Sequence, residues 1–156
     1  MKFNSDFRPR LKGNKKKAFE YFTKDERRIL VIGDIHAPFV LDGYLEFCQE
    51  TYAKHNCNQV IFIGDILDNH YSSFHQTDPN GMGGGQELEH AIAIVQEWYK
   101  AFPVADVLIG NHDRIIMRKA IDSDVPQQWI KSYNEVLGVN WNWTERIVYD
   151  GVQFVH

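Results

Sequence analysis

Cysteine is scarce in this chain of 156 residues: Cys48 and Cys57, nine positions apart, are all it has. Two such residues cannot build a disulfide-dense secreted module, and without a CxxC pair they offer neither a zinc nor a redox motif. Both are expected to act as small core hydrophobes. Long apolar runs are missing too. The longest uninterrupted stretches are about five residues, at Ile29 to Ile32 and Ala91 to Val95, against the ~20 that a membrane-spanning helix requires. The N-terminal stretch MKFNSDFRPRLKGNKKK has no apolar h-region, so no secretory signal is expected, and a reducing, cytoplasmic location with no membrane partner follows. What the chain does have is 44% hydrophobic and 13% aromatic residues, enough for one globular core.

The net charge of −4 hides an asymmetry. Residues 1–17 carry seven basic groups (Lys2, Arg8, Arg10, Lys12, Lys15, Lys16, Lys17) against one acidic group, Asp6, leaving 10 basic and 20 acidic groups in the rest of the chain. The expected organisation is a basic N-terminal arm over residues 1–27 and one domain over 28–156. A polar tail is the plain reading of such an arm, and contact with a phosphate backbone the functional one. The acidic body fits either a solvated surface or a domain that holds multivalent cations.

Three segments share one design, a Val- and Ile-rich run that ends in glycine and is followed at once by polar residues. They are Ile29 to Gly33, Val60 to Gly64 and Val104 to Gly110. Continuous apolar runs of this length read as strands buried on both faces of a parallel sheet. Between the first two, Leu41, Tyr44, Leu45, Cys48 and Tyr52 have the spacing of an amphipathic helix. Between the second and third, Leu88, Ile92, Val95, Tyr99 and Phe102 repeat it until Pro103. The expectation is an α/β fold with a right-handed, parallel βαβαβ core. Residues 114–121 and 127–137 read as helices. Trp141 to Asp150 and Val152 to His156 read as a hairpin turning at Asp150-Gly151. The stretch from Asn69 to Gln86 is long for a compact domain and reads as functional or disordered.

In an open parallel sheet, ligands sit outside the carboxyl ends of the strands. Each glycine-ended strand here delivers polar groups to that edge: Asp34 and His36, then Asp65 and Asp68, then Asn111, His112 and Asp113. Singly, each group reads as a turn or helix-cap residue. Together, carboxylates, imidazoles and an amide oxygen at one edge suit a divalent-cation site.

Gly33-Asp34-Ile35-His36, Gly64-Asp65-Ile66-Leu67-Asp68 and Gly110-Asn111-His112-Asp113 resemble the first three motifs of the calcineurin-like metallophosphoesterases, and Val152 to His156 resembles the fourth. The general look is similar to bacterial and phage members. The resemblance implies the calcineurin-like αββα sandwich. It also implies two divalent metal ions, Mn foremost and Fe, Zn, Ni or Mg as alternatives. Asp34 and His36 would bind one metal, Asp65 both, and Asn111 and His156 the second. His112 would sit near the leaving group as general acid, with Asp113 orienting it and Asp68 holding the geometry of the ligands by hydrogen bonds. The implied reaction is hydrolysis of a phosphomonoester or phosphodiester by a metal-bridging hydroxide, made available near neutral pH by two cations roughly 3.5–4 Å apart. The substrate class stays open, with nucleic acid as one option, and so does the oligomeric state.

The family's fifth motif, Gly-His-x-His, does not occur before His156. The expectation is therefore a C-terminally incomplete site with a weakly held second metal and poor turnover. The rival expectation is a truncated or degenerate phosphoesterase serving as a non-catalytic binding or scaffold module. His70 and His75, in the loop after the second motif, and Arg114 and Arg118, one turn apart, are open between substrate contact and solvated surface. Trp141 and Trp143 are open between base stacking and packing. His90, opposite its helix's apolar stripe, reads as exposed.

Overall fold

The computed structural model describes residues 26–76 and 78–156. The charge cluster of the N-terminal arm lies outside the described residues. Strands β1 (Ile29–Ile32), β2 (Gln59–Phe62) and β3 (Asp106–Leu108) form the expected parallel core. A fourth strand, β4 (Asn142–Thr144), extends it in the order β1-β2-β3-β4. Leu30 lies opposite Val60, Phe62 opposite Val107, and Val107 opposite Trp143. The helices are α1 (Tyr44–Lys54), α2 (Gly84–Ala101), α3 (Ile115–Asp122) and α4 (Tyr133–Leu137).

One face of the sheet, carrying Leu30, Ile32, Val60, Phe62 and Val107, packs against Cys48 of α1 and Ala91, Val95 and Trp98 of α2 in a single cluster. Cys48 is buried as expected and Cys57 packs at the margin. The opposite face carries Ile61 and Leu108, both fully buried. A hairpin of β5 (Ile147–Tyr149) and β6 (Val152–Phe154) lies over it. The Tyr149 hydroxyl donates to Asp106 Oδ2 at 2.8 Å, on that face of β3. Val31 on this face is 44% exposed, so β1 is not covered on both sides. It is the edge strand of the sheet.

Several boundaries differ from the sequence expectation, each for a local reason. Leu41 is exposed and precedes α1, because Gly43, with φ 76°, turns the chain before the helix begins. In α2 the buried stripe is Glu87, Ala91, Val95 and Trp98, while Leu88, Ile92 and Tyr99 sit half-buried on its flank. The stretch 69–86 is shorter as a loop than it reads, since His70–Ser72 forms a 3₁₀ turn and α2 already starts at Gly84. Residues 127–137 are not one helix: a 3₁₀ turn at Gln127–Trp129 is separated from α4 by a capping box. There the Ser132 hydroxyl accepts from Glu135 N and the Glu135 carboxylate accepts from Ser132 N.

Residues 141–150 are likewise two strands in different sheets. Trp141 Nε1 donates to the Phe102 carbonyl at 2.8 Å, which draws the start of β4 into the core sheet. Trp143 donates to Asn134 Oδ1 and stacks on Tyr133 with centroids 4.3 Å apart, so both indoles pack within the fold. The turn at Asp150-Gly151 is as expected. Its φ values of 52° and 81° match the left-handed pair of a type I′ hairpin turn. No helix among the described residues is long and apolar enough to cross a membrane.

Candidate metal centre

The β1 side of the sheet edge is built by alternation. After β1, Ile35 and Ala37 point into the core, each 1% exposed, so Asp34 and His36 face outward. After β2 the chain does not alternate: Asp65, Ile66 and Leu67 are all buried, and Asp68 is half-buried. Backbone hydrogen bonds lace the two loops together: His36 N donates to Asp65 O, Ala37 N to Ile66 O, and Asp68 N to Ala37 O, at 2.8–3.0 Å. Asp34, His36, Asp65 and Asn69 all hold φ between 48° and 50°. That left-handed region is uncommon for residues with a side chain, and such backbone strain clusters at functional sites.

Asp65 is the hub. It is 4% exposed. Its Oδ1 accepts from the backbone N–H of His112 at 2.9 Å, which leaves Oδ2 turned to the imidazoles. His156 Nε2 stands 3.2 Å and His36 Nε2 3.8 Å from that oxygen. The Asp34 Oδ1 atom lies 3.9 Å from His36 Nε2 and 4.0 Å from His156 Nε2. Two glycines permit this crowding. A Cβ on Gly64, itself at φ 101°, would stand 2.5 Å from the His156 ring, and one on Gly110 would overlap the Asp65 carboxylate and backbone nitrogen.

Asp68 works behind the hub. Its Oδ1 accepts from His36 Nδ1 at 2.8 Å, and its backbone carbonyl accepts from His112 Nδ1 at 2.6 Å. Both rings are thus held in the tautomer that leaves Nε2 bare, an arrangement typical of imidazoles that serve a metal or move a proton. The two rings meet edge to face, 4.7 Å apart.

Asp113 does not approach the His112 ring. Buried at 1% exposure, it turns inward, where Oδ1 accepts from Leu67 N and Oδ2 from Gly110 N. It ties the second and third motif loops together, and Asp68 holds the ring that Asp113 was expected to orient. Burial pushes the Asp113 carboxyl above its ordinary value, against the pull of those backbone donors.

Asn111 is exposed in the turn after β3. His70 and His75 are exposed and outside the metal-capable groups of the described residues. The Arg114 guanidinium is taken by the Ile109 carbonyl and Glu145, and Arg118 lies over the Phe74 ring. His90 is exposed, as expected.

Two residues that sequence reasoning passed over also position the site. Glu87 accepts from the backbone N–H groups of His70 and Tyr71, and Asn69 Nδ2 donates to the His112 carbonyl. A carboxylate one, two and three turns before Ala91, Val95 and Trp98, on the buried stripe of α2, was the available signal for the first.

The donor set fits divalent cations. Ligand atoms each about 2.0–2.2 Å from one ion stand roughly 3–4 Å from one another, which is the range that separates the Nε2 atoms of His36 and His156 from the Asp34 and Asp65 oxygens. Two groups of side chains among the described residues, Asp34-Asp65-His156 and His36-Asp65-His112, bring their ligand atoms within 4.8 Å of one another, and Asp65 belongs to both. Carboxylate and imidazole together suit hard and intermediate cations alike. No curated protein and no solved structure shows significant similarity to the chain. The family model described as calcineurin-like phosphoesterase matches residues 27–154. With its parallel core and motif-bearing loops inside that match, the chain belongs to the calcineurin-like phosphoesterase family.

Proposed function

We propose that the chain hydrolyses a phosphomonoester or phosphodiester at this sheet edge with two divalent ions, Mn foremost. The observation that carries the reading is Asp65, one carboxylate placed against both His36 and His156 with its second oxygen already fixed by a backbone N–H. Asp34, His36, Asp65 and His156 are the residues that would hold the ions, with Asn111 completing the set. When bound, such ions supply hydroxide near neutral pH and neutralise the charge of the phosphoryl group.

The rest falls to the chain's own side chains. Asp68 holds the His36 ring by its Nδ1, so that its Nε2 faces Asp34 and Asp65. It fixes His112 as well, and the Nε2 of that ring, once protonated, is the atom that would pass a proton to the departing oxygen, a contribution of typically 10² to 10⁴ in rate. Asp113 acts through the backbone by holding Gly110 and Leu67 in place.

The test pairs metal analysis of the purified full chain with turnover of bis(p-nitrophenyl) phosphate in Mn, Mg, Ni and Zn. Metal-dependent turnover that Asp65→Asn abolishes is expected. Metal binding without turnover in any of the four ions would overturn the hydrolase reading and favour a binding module instead.

A further inference from the structure

Asp34 has less support than the other carboxylates of the motif loops. Asp65 accepts from a backbone N–H, Asp68 from the His36 ring and Asp113 from two backbone donors. The Asp34 side chain is 66% exposed, and the imidazole nitrogens nearest to it, at 3.9 and 4.0 Å, stand beyond hydrogen-bond distance. Its backbone nevertheless holds φ 50°. A residue with a side chain keeps that conformation only where its surroundings fix it.

The hold comes from the residue before it. β1 is the edge strand, and the Ile32 carbonyl makes the last link to β2 by accepting from Ile63 N at 2.8 Å. Successive residues of a strand turn their backbone groups to opposite sides, so those of Gly33 face the open edge. Among the described residues no backbone group pairs with either of them. The Tyr44 hydroxyl takes both: it donates to the Gly33 carbonyl at 2.8 Å and accepts from the Gly33 N–H at 3.3 Å. A phenol can do this because its oxygen is donor and acceptor at once. The two groups belong to the two peptide planes that meet at the Gly33 Cα. Holding both sets the φ and ψ of the residue type with the greatest backbone freedom. The second plane ends at Asp34 N, so its orientation decides where Asp34 starts.

Tyr44 is itself held firmly. It opens α1, and its ring meets Trp98 of α2 edge to face with centroids 5.3 Å apart. Trp98 is 1% exposed, so the hydroxyl is aimed at Gly33 from the packed core. Packing alone would be served by phenylalanine, and only the hydroxyl reaches Gly33.

We propose that Tyr44 is a positioning residue of the metal centre, acting on Asp34 through the Gly33 backbone. The inference rests on the metal-dependent reading above and adds a residue which that reading does not use. Tyr44→Phe keeps the ring on Trp98 and removes only the clamp.

Equilibrium dialysis of the full chain against Mn tests it in wild type, Tyr44→Phe, Asp34→Asn and the double variant. Tyr44→Phe should weaken Mn binding about 10-fold, the lower end for groups that orient a metal ligand. Asp34→Asn should weaken it further. In that background Tyr44→Phe should cost nothing more, because residues that act through one another are not additive. A general structural role would add its loss in full to that of Asp34→Asn, and that result would overturn the proposal. So would wild-type Mn affinity in Tyr44→Phe. A wild-type chain that takes up no Mn would overturn the metal-centre reading and this inference with it. Failure of the hydrolase reading shows separately, as Mn uptake without turnover of bis(p-nitrophenyl) phosphate.

Discussion

Removing one oxygen from Glu87 should loosen the loop that holds His112. Glu87 is 5% exposed on α2. Its Oε1 accepts from His70 N at 2.6 Å and its Oε2 from Tyr71 N at 2.9 Å. In Glu87→Gln one of these acceptors becomes an NH₂ group facing an N–H donor, so one charge-assisted bond is lost and the other weakened. Bonds to a charged group contribute about 1.5–3 kcal/mol each. The turn is only part-buried, which puts the expected cost at the lower end, about 1.5–2 kcal/mol. For a chain of this size that lowers Tm by about 3–8 °C. The turn is followed back to Asn69 and from there to the His112 carbonyl, so turnover should fall with stability. Thermal unfolding gives the loss of stability, amide hydrogen exchange at His70 and Tyr71 the loosening of the loop, and hydrolysis of bis(p-nitrophenyl) phosphate the loss of turnover. Protection at those two amides should drop while that at Val107 stays. A Tm within about 1 °C of wild type, with unchanged exchange at both amides, would refute the reasoning.

Two further outcomes follow from the geometry. Gly110→Ala puts a methyl group onto the carboxylate and backbone nitrogen of Asp65, atoms that cannot swing away. A loss of about 2–3 kcal/mol and a large drop in Mn affinity are expected, and calorimetric unfolding together with equilibrium dialysis checks both. Wild-type Mn affinity in this variant would show that Asp65 is not the shared ligand. Tyr133 is the basis of a pH prediction. Burial first, and then the charge of Asp113, pushes its phenol from 10.0 up to about 12. The folded state keeps the proton that the unfolded state releases, so this contribution is complete below pH 10 and is lost as pH climbs from there toward 12. The difference in absorbance at 295 nm between wild type and Tyr133→Phe should titrate near pH 12, and a midpoint near pH 10 would contradict the burial argument.

Much of the fold was legible along the chain because parallel strands buried in a core are written as continuous apolar runs. β1 matched its run residue for residue and β2 was displaced by one. Turn chemistry placed the Asp150-Gly151 hairpin in the same way. What misled was periodicity read without partners. The stripe of α2 was placed on its large apolar residues, whereas the side that docks is Glu87, Ala91, Val95 and Trp98, with Glu87 paired to backbone and small Ala91 allowing close approach. Residues 127–137 carry helix-forming residues throughout, yet Ser132 spends its hydroxyl on a cap and restarts the helix.

The sequence by itself determined the family, the parallel core and the residue types brought to one edge, since glycine-ended apolar runs followed by Asp, His and Asn leave little choice of topology. Only the tertiary structure decided which atom faces which. Asp68 and Asp113 are both carboxylates of motif loops. The fold turns one toward two imidazoles and buries the other against the backbone of two loops. Burial and hydrogen-bond direction depend on neighbours far apart in sequence, as Leu67 is from Asp113 and Glu87 from His70, and no local pattern records them.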